Sequence, residues 1–176
     1  MNVGIPVEQK RWPLLLRKGA AAGFAAGVAL GLVQFLIAAA REESALLPLR
    51  TVASLLLGQS ALTSGESTAL VIIVGVALHL VLSIIFGLVF VTVLALTFQL
   101  SARRWLLFVY GFLFGFLLWE VNFLAILPLV YPALTSRVEL SGHIWEGIVA
   151  YSLVYGPALA LYISSARPGV LTDWRA

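Results

Sequence analysis

A chain of 176 residues with 61% hydrophobic and 11% charged side chains, and a mean hydropathy of +1.04, lies far from the roughly one-quarter charged composition of a soluble domain. Lipid is the solvent such a composition suits, and the absence of cysteine excludes disulfides, thiolate metal centres and thiol catalysis. The net charge of +3 is small and follows membrane orientation, so no nucleic-acid partner is expected.

Residues 1–18 form a polar leader in which Lys10, Arg11, Arg17 and Lys18 accompany Trp12 and Pro13, suited to an interfacial anchor and a helix start. The first span, 19–40, carries Gly19, Gly23, Gly27 and Gly31 at four-residue intervals. Such a flat ridge lets another backbone approach closely where no hydrophobic effect drives helices together. The basic start and Ala38-Ala39-Ala40 also resemble a signal peptide and its cleavage site, but the apolar run is longer than the 7 to 15 residues usual there.

Residues 48–58 are too short to span. Leu49, Val52, Ala53 and Leu56 fall on one stripe and Arg50, Thr51 and Ser54 on another, predicting an interfacial helix that Gly58 stops. The second span, 69–98, has no Asp, Glu, Lys or Arg and one histidine, His79. On its ridge Gly75, His79, Ser83 and Gly87 stand four apart, which places the imidazole on the closest-packing face. A basic turn leads to the third span, 105–127, with Gly111 and Gly115 as a further small-residue pair and with Trp119, Glu120 and Asn122 near its end. Pro128 and Pro132 end it. The fourth span, 143–164, opens with His143 and Glu146 three residues apart, hence on one face, and is expected to bend at Gly156-Pro157. Residues 166–176 form a short tail.

The fold class is therefore all-α: a polytopic four-helix membrane bundle with a short interfacial helix in its first outer loop and a membrane domain over 19–165. With both termini inside, eight Lys and Arg face the cytoplasm and three, Arg41, Arg50 and Arg137, face out, as expected for a bacterial inner (plasma) membrane. At 1.5 Å per residue, Gln34, His79, Glu120, Asn122, Glu146 and His143 all fall in the outer half, as one polar layer. His79, Glu120, His143 and Glu146 are a candidate divalent-metal set, His79 or His143 a candidate haem or chlorophyll-type ligand, and the same groups a candidate proton path. Interhelical hydrogen bonding without any ligand is the alternative. Glu120 lies about 140° around its helix from Gly115, whereas Asn122 is on the glycine face, so the two cannot point at the same neighbour.

The segments GVALHLVLSIIFGLVF, VYGFLFGFLLWEVNFLAILPLV and HIWEGIVAYSLVYG, about a third of the chain, resemble a group of small four-helix bacterial inner-membrane proteins of the YagU-like type. The resemblance implies His79, Trp119 and His143 as residues of interest and brings no reaction with it. Nucleotide loops, GxSxG and HExxH are absent, so no catalytic residue is assigned. The reading is a non-enzymatic membrane subunit of a larger complex, electron-transfer or photosynthetic among the possibilities, or of a homo-oligomer. It packs through glycine ridges and is a candidate holder of a tetrapyrrole or metal at the outer-half His and Glu layer. The alternative is a small oligomeric transporter or channel for protons, ions or a small solute.

Overall fold

In lipid, a backbone must satisfy its own polar groups, and this chain does so with helices. The computed structural model describes residues 7–63, 65–97, 104–126 and 139–165, with no strand among them. Helix α1 runs Val7–Ala40. It is followed by α2, Leu47–Leu57, with a 3-10 turn at Gly58–Ala61, and by α3, Thr68–Thr97. Helix α4, Arg104–Glu120, opens into a π turn at Val121–Ile126. Helix α5, Glu139–Val149, passes through a second π turn, Ala150–Tyr155, into α6, Gly156–Ser165. Four stretches are long and apolar enough to cross a bilayer: Trp12–Ala40, Thr68–Leu96, Arg104–Ile126 and Ile144–Ser165. Residues 98–103 before α4, 127–138 before α5 and the tail from 166 lie outside the described residues.

The leader is helical from Val7, so Pro13 lies inside α1 rather than at its start. Glu, Gln, Lys and Arg are good helix formers and extend the helix outward from the apolar run. At its other end α1 stops without glycine. Glu42 takes the left-handed conformation at φ 57°, and the Glu43 N–H reaches back to the Ala38 carbonyl at 3.0 Å.

Backbone packing sets the order α3, α1, α6, α4 across the bundle. Small residues create the contacts. A Cβ on Gly23 would meet the Ser83 carbonyl and lie 3.0 Å from Ile84 Cα and 3.1 Å from Gly87 Cα, while Gly19 faces Gly87 and Val91. Farther along, Gly27 meets Ser83 and Gly31 meets His79. On the other side, Gly111 abuts Gly156 and Ala160, and Gly115 abuts Tyr151 and Ser152. Helices α3 and α4 have no comparable backbone packing and meet through side chains, with the Phe90 and Phe114 ring centroids 5.0 Å apart.

The two ends of the bundle differ. Toward the chain termini, Leu15, Phe90, Val91, Leu94, Leu107, Leu159 and Ile163 are nearly inaccessible and fill the interior. Toward the opposite end, α2 takes the space between helices. It crosses α3 with Leu49 against Gly75, seven residues and about 10 Å in from the start of α3. Its buried side is Leu49, Ala53 and Ser54, whereas Leu56 is 68% exposed. The stripe read from hydropathy is thus rotated. Ser54 tolerates burial because its hydroxyl donates to the Thr51 carbonyl at 2.7 Å, and Leu56 can face outward where the surroundings are apolar. Arg50 secures the turn that follows, donating from Nη1 to the Ala61 and Thr63 carbonyls at 2.9 and 2.8 Å.

Candidate functional site

Two helices lose their regular winding at the same level, and each does so beside a proline. Pro157 has no N–H for the Leu153 carbonyl, and the Gly156 N–H donates instead to Tyr151, five residues back, which widens the turn Ala150–Tyr155. The π turn Val121–Ile126 likewise precedes a proline in sequence, Pro128, which lies outside the described residues. The fourth span, where the sequence predicts a bend, thus carries a π turn directly before Gly156-Pro157.

Between these turns, α2 and the central parts of α1 and α3 lies a cavity of about 350 Å³. The first π turn supplies Asn122, Phe123 and Ile126, the second Ala150, Tyr151 and Tyr155. Helix α1 contributes Leu30, Gln34 and Ile37, α2 contributes Thr51 and Val52, and α3 contributes His79, Leu82 and Phe86. The walls are mostly apolar, with Gln34, Thr51, His79, Asn122 and Glu146 as polar points. At the mouth, Arg41 Nη1 donates to Glu146 Oε1 at 2.7 Å and Arg41 Nε lies 3.2 Å from Glu43 Oε1, joining the end of α1 to α5. The Glu146 hydrogen bond, outweighing desolvation and helped by both carboxylates, holds the guanidinium above arginine's ordinary value.

The floor is built of side chains that donate to main-chain carbonyls, two across helices and one within α3. His79 Nε2 lies 2.9 Å from the Gly27 carbonyl oxygen, which can only accept, so Nε2 carries the proton and Nδ1 is the atom left to accept or ligate. Tyr155 Oη donates to the Ser83 carbonyl at 2.7 Å, tying the fourth span to α3, and Ser83 Oγ donates to the His79 carbonyl at 2.7 Å. A ladder of rings backs this floor: Trp119 stacks on Phe123 at 5.4 Å, Phe123 meets Tyr151 edge-on at 6.5 Å, and Tyr151 leans on Tyr155 at 6.2 Å.

Of the residues singled out in the sequence, Gln34, His79, Asn122 and Glu146 line this one cavity. Trp119 is buried behind it against Gly147, its Nε1 without a hydrogen-bond partner among the described residues. Glu120 is on the other side of α4, about 180° from Gly111, and is not among the residues lining the cavity. His143 is within α5, and its side chain lies outside the described residues. No three His, Asp or Glu side chains gather in metal-binding range among the described residues, so a four-ligand metal set is not assembled there. A tetrapyrrole on His79 Nε2 would have to displace α1, because the Gly27 carbonyl holds that atom and a Cβ on Gly31 would be only 3.5 Å away. Thr51, Val52, Phe123, Tyr151 and Tyr155 carry no mark in the sequence as site residues; the nearest signal is the proline two residues after each π turn.

No protein family, curated protein or solved structure matches the chain.

Proposed function

We propose that this is a non-enzymatic integral membrane protein that holds a small amphipathic molecule in the cavity between α1, α2, α3 and the two π turns. The observation that carries the reading is the cavity's chemistry. An apolar chamber of about 350 Å³, within the range of small-ligand sites, lies beneath a polar, ion-paired mouth, and two rare backbone features border it. An apolar body would lie against Leu30, Leu82, Phe86 and Ile126, and a hydrogen-bonding end would meet Gln34, Thr51 or Asn122. The excess of Lys and Arg near the termini supports a plasma-membrane orientation with both termini in the cytoplasm and the mouth at the outer face.

Holding is favoured over conduction because the terminal half of the bundle is filled by Phe90, Leu94, Leu107, Leu159 and Ile163, each at most 2% exposed. A single copy therefore offers a pocket open at one end. Among the described residues a metal or pigment would be limited to His79 Nδ1, with Nε2–H held by a carbonyl as the outer partner of a ligating imidazole usually is.

The test is saturable binding of an environment-sensitive, single-chain fluorescent amphiphile to the protein in nanodiscs. Val52→Trp, which fills the chamber from α2, should abolish binding. Leu56→Trp on the outer side of α2 should leave it intact. Non-saturable partitioning, equal in both variants, would refute the reading. An absorption spectrum of the purified protein and of His79→Ala tests the pigment alternative directly.

A further inference from the structure

Glu120 is the carboxyl of the described spans that the cavity does not account for. It is partly buried, and it has no hydrogen bond or ion pair with any described residue. It stands about 180° from Gly111 and so opposite the side of α4 that packs on α6. Counting from Trp105 at the basic end, it lies about 22 Å along the helix, still short of a ~30 Å hydrocarbon thickness. A carboxyl so placed is expensive in lipid and calls for a polar partner from protein.

The neighbours of Glu120 have a pattern of their own. Leu106, Leu113, Leu117, Glu120 and Leu124 fall on one stripe with the 7-4-3-4 spacing of a coiled-coil seam. Leu113, Leu117 and Leu124 are 47, 60 and 63% exposed. The outer faces of α1 and α3, with Phe24, Val28, Leu32 and Leu36 on one and Ile73, Val81, Ile85 and Val89 on the other, carry no ionisable residue among those exposed positions. A single polar residue in an otherwise leucine seam is the device that fixes register and partner number in coiled coils.

We propose that a second copy of this chain covers this face, α4 against α4, with the two Glu120 carboxyls meeting at a two-fold axis. Copies inserted in the same orientation can be related only by an axis along the membrane normal. The two α4 helices are then parallel, and each Glu120 faces its own counterpart at the same depth. A protonated carboxyl is self-complementary, since its O–H donates to the partner's carbonyl oxygen while its own carbonyl oxygen accepts in return. A left-handed crossing of about 20° brings such a seam into knobs-into-holes contact. The inference is independent of what the cavity holds, because the seam is on the opposite side of α4.

The chain has no cysteine, so single-cysteine variants need no background removal. In proteoliposomes, oxidation of Leu113→Cys, Leu117→Cys and Leu124→Cys should give disulfide dimers, and Ile73→Cys and Ile85→Cys on α3 should not. Dilution FRET should show Glu120→Gln, whose amide also donates and accepts, dimerising like wild type. Glu120→Leu should dimerise about tenfold more weakly. A monomer at every lipid dilution, cross-links confined to the α3 positions, or Glu120→Leu that associates as well as wild type would each overturn the proposal. The leucine-to-cysteine set leaves Glu120 in place, so it decides the matter even if a substitution at Glu120 impairs folding.

Discussion

The four glycines of the α1 ridge are equivalent in sequence and unequal in structure, so an alanine series along them is a sharp test of the packing. At Gly31 the new Cβ would lie 3.5 Å from His79 Nε2, an ordinary contact, and alanine relieves glycine's helix penalty. Gly31→Ala should leave stability unchanged or raise it by up to ~1 kcal/mol. At Gly27 the Cβ would be 2.5 Å from both Cβ and Oγ of Ser83; the hydroxyl can turn only by giving up its bond to the His79 carbonyl, and Cβ moves only with the backbone of α3. At Gly23 all three nearest atoms belong to the backbone of α3, the closest in outright overlap with the Ser83 carbonyl and the others at 3.0 and 3.1 Å. Backbone cannot rotate away, so the helices must part by roughly half an ångström to an ångström, a gap that forfeits a quarter to a half of each dispersion contact. Overpacking of this kind costs about 1 to 3 kcal/mol. Parting also stretches the His79 bond to Gly27 from 2.9 Å. Denaturant titration in bicelles, followed by tryptophan fluorescence, should rank the losses Gly23→Ala, then Gly27→Ala, then Gly31→Ala. A Gly31→Ala variant as damaged as Gly23→Ala would refute the α1 and α3 register described above.

Four further outcomes follow from individual contacts. Tyr155→Phe removes the donor to the Ser83 carbonyl and should lower stability by about 0.5 to 1 kcal/mol in the same titration, with the protein still folded by circular dichroism. Ser152→Ala should be neutral or stabilising by up to ~1 kcal/mol, because the Ser152 hydroxyl is buried with no hydrogen-bond partner among the described residues. Glu42→Gly should stabilise by roughly 0.5 to 1 kcal/mol, since φ 57° suits glycine and strains other residues; thermal unfolding in detergent reads this. Arg41→Ala should change stability little but open the mouth, seen as faster maleimide labelling of an Asn122→Cys variant. Arg41's own stabilising charge is complete below arginine's ordinary value and is lost only above it, so its titration does not open the mouth near neutral pH.

Much of the architecture was legible because lipid permits few solutions. Four apolar runs of sufficient length, separated by charge or proline, can form little other than four helices. The polar residues of the layer could be placed by depth because a helix rises a fixed distance per residue. Depth is only one coordinate. Gln34, His79, Asn122 and Glu146 converge because their azimuths agree with the packing order α3, α1, α6, α4, and that order depends on which glycine ridge meets which. Glu120 shares their depth and points elsewhere, which the 140° offset from Gly115 already implied. The orientation of α2 was read less well. Hydropathy places Leu56 with Leu49 and Ala53, but outside water an exposed leucine carries no penalty, so a buried serine with its own carbonyl partner can decide the rotation instead.

The hollow end follows from chemistry that proline imposes and small residues do not correct. Where α1 meets α3, glycine on both sides lets the backbones touch and leaves no room. Where α4 nears α3, no such ridge exists, and contact depends on bulky rings such as Phe90 and Phe114. One π turn in each of the two spans then widens the helix and turns Phe123 and Tyr151 toward one another. A regular α-helix through Ala150–Tyr155 would carry one residue fewer per turn and would swing Tyr155 away from the Ser83 carbonyl it now bonds. The two π turns thus hold the walls of the cavity apart while Tyr155 keeps its floor tied to α3, and α2, seated against Gly75, forms a further wall.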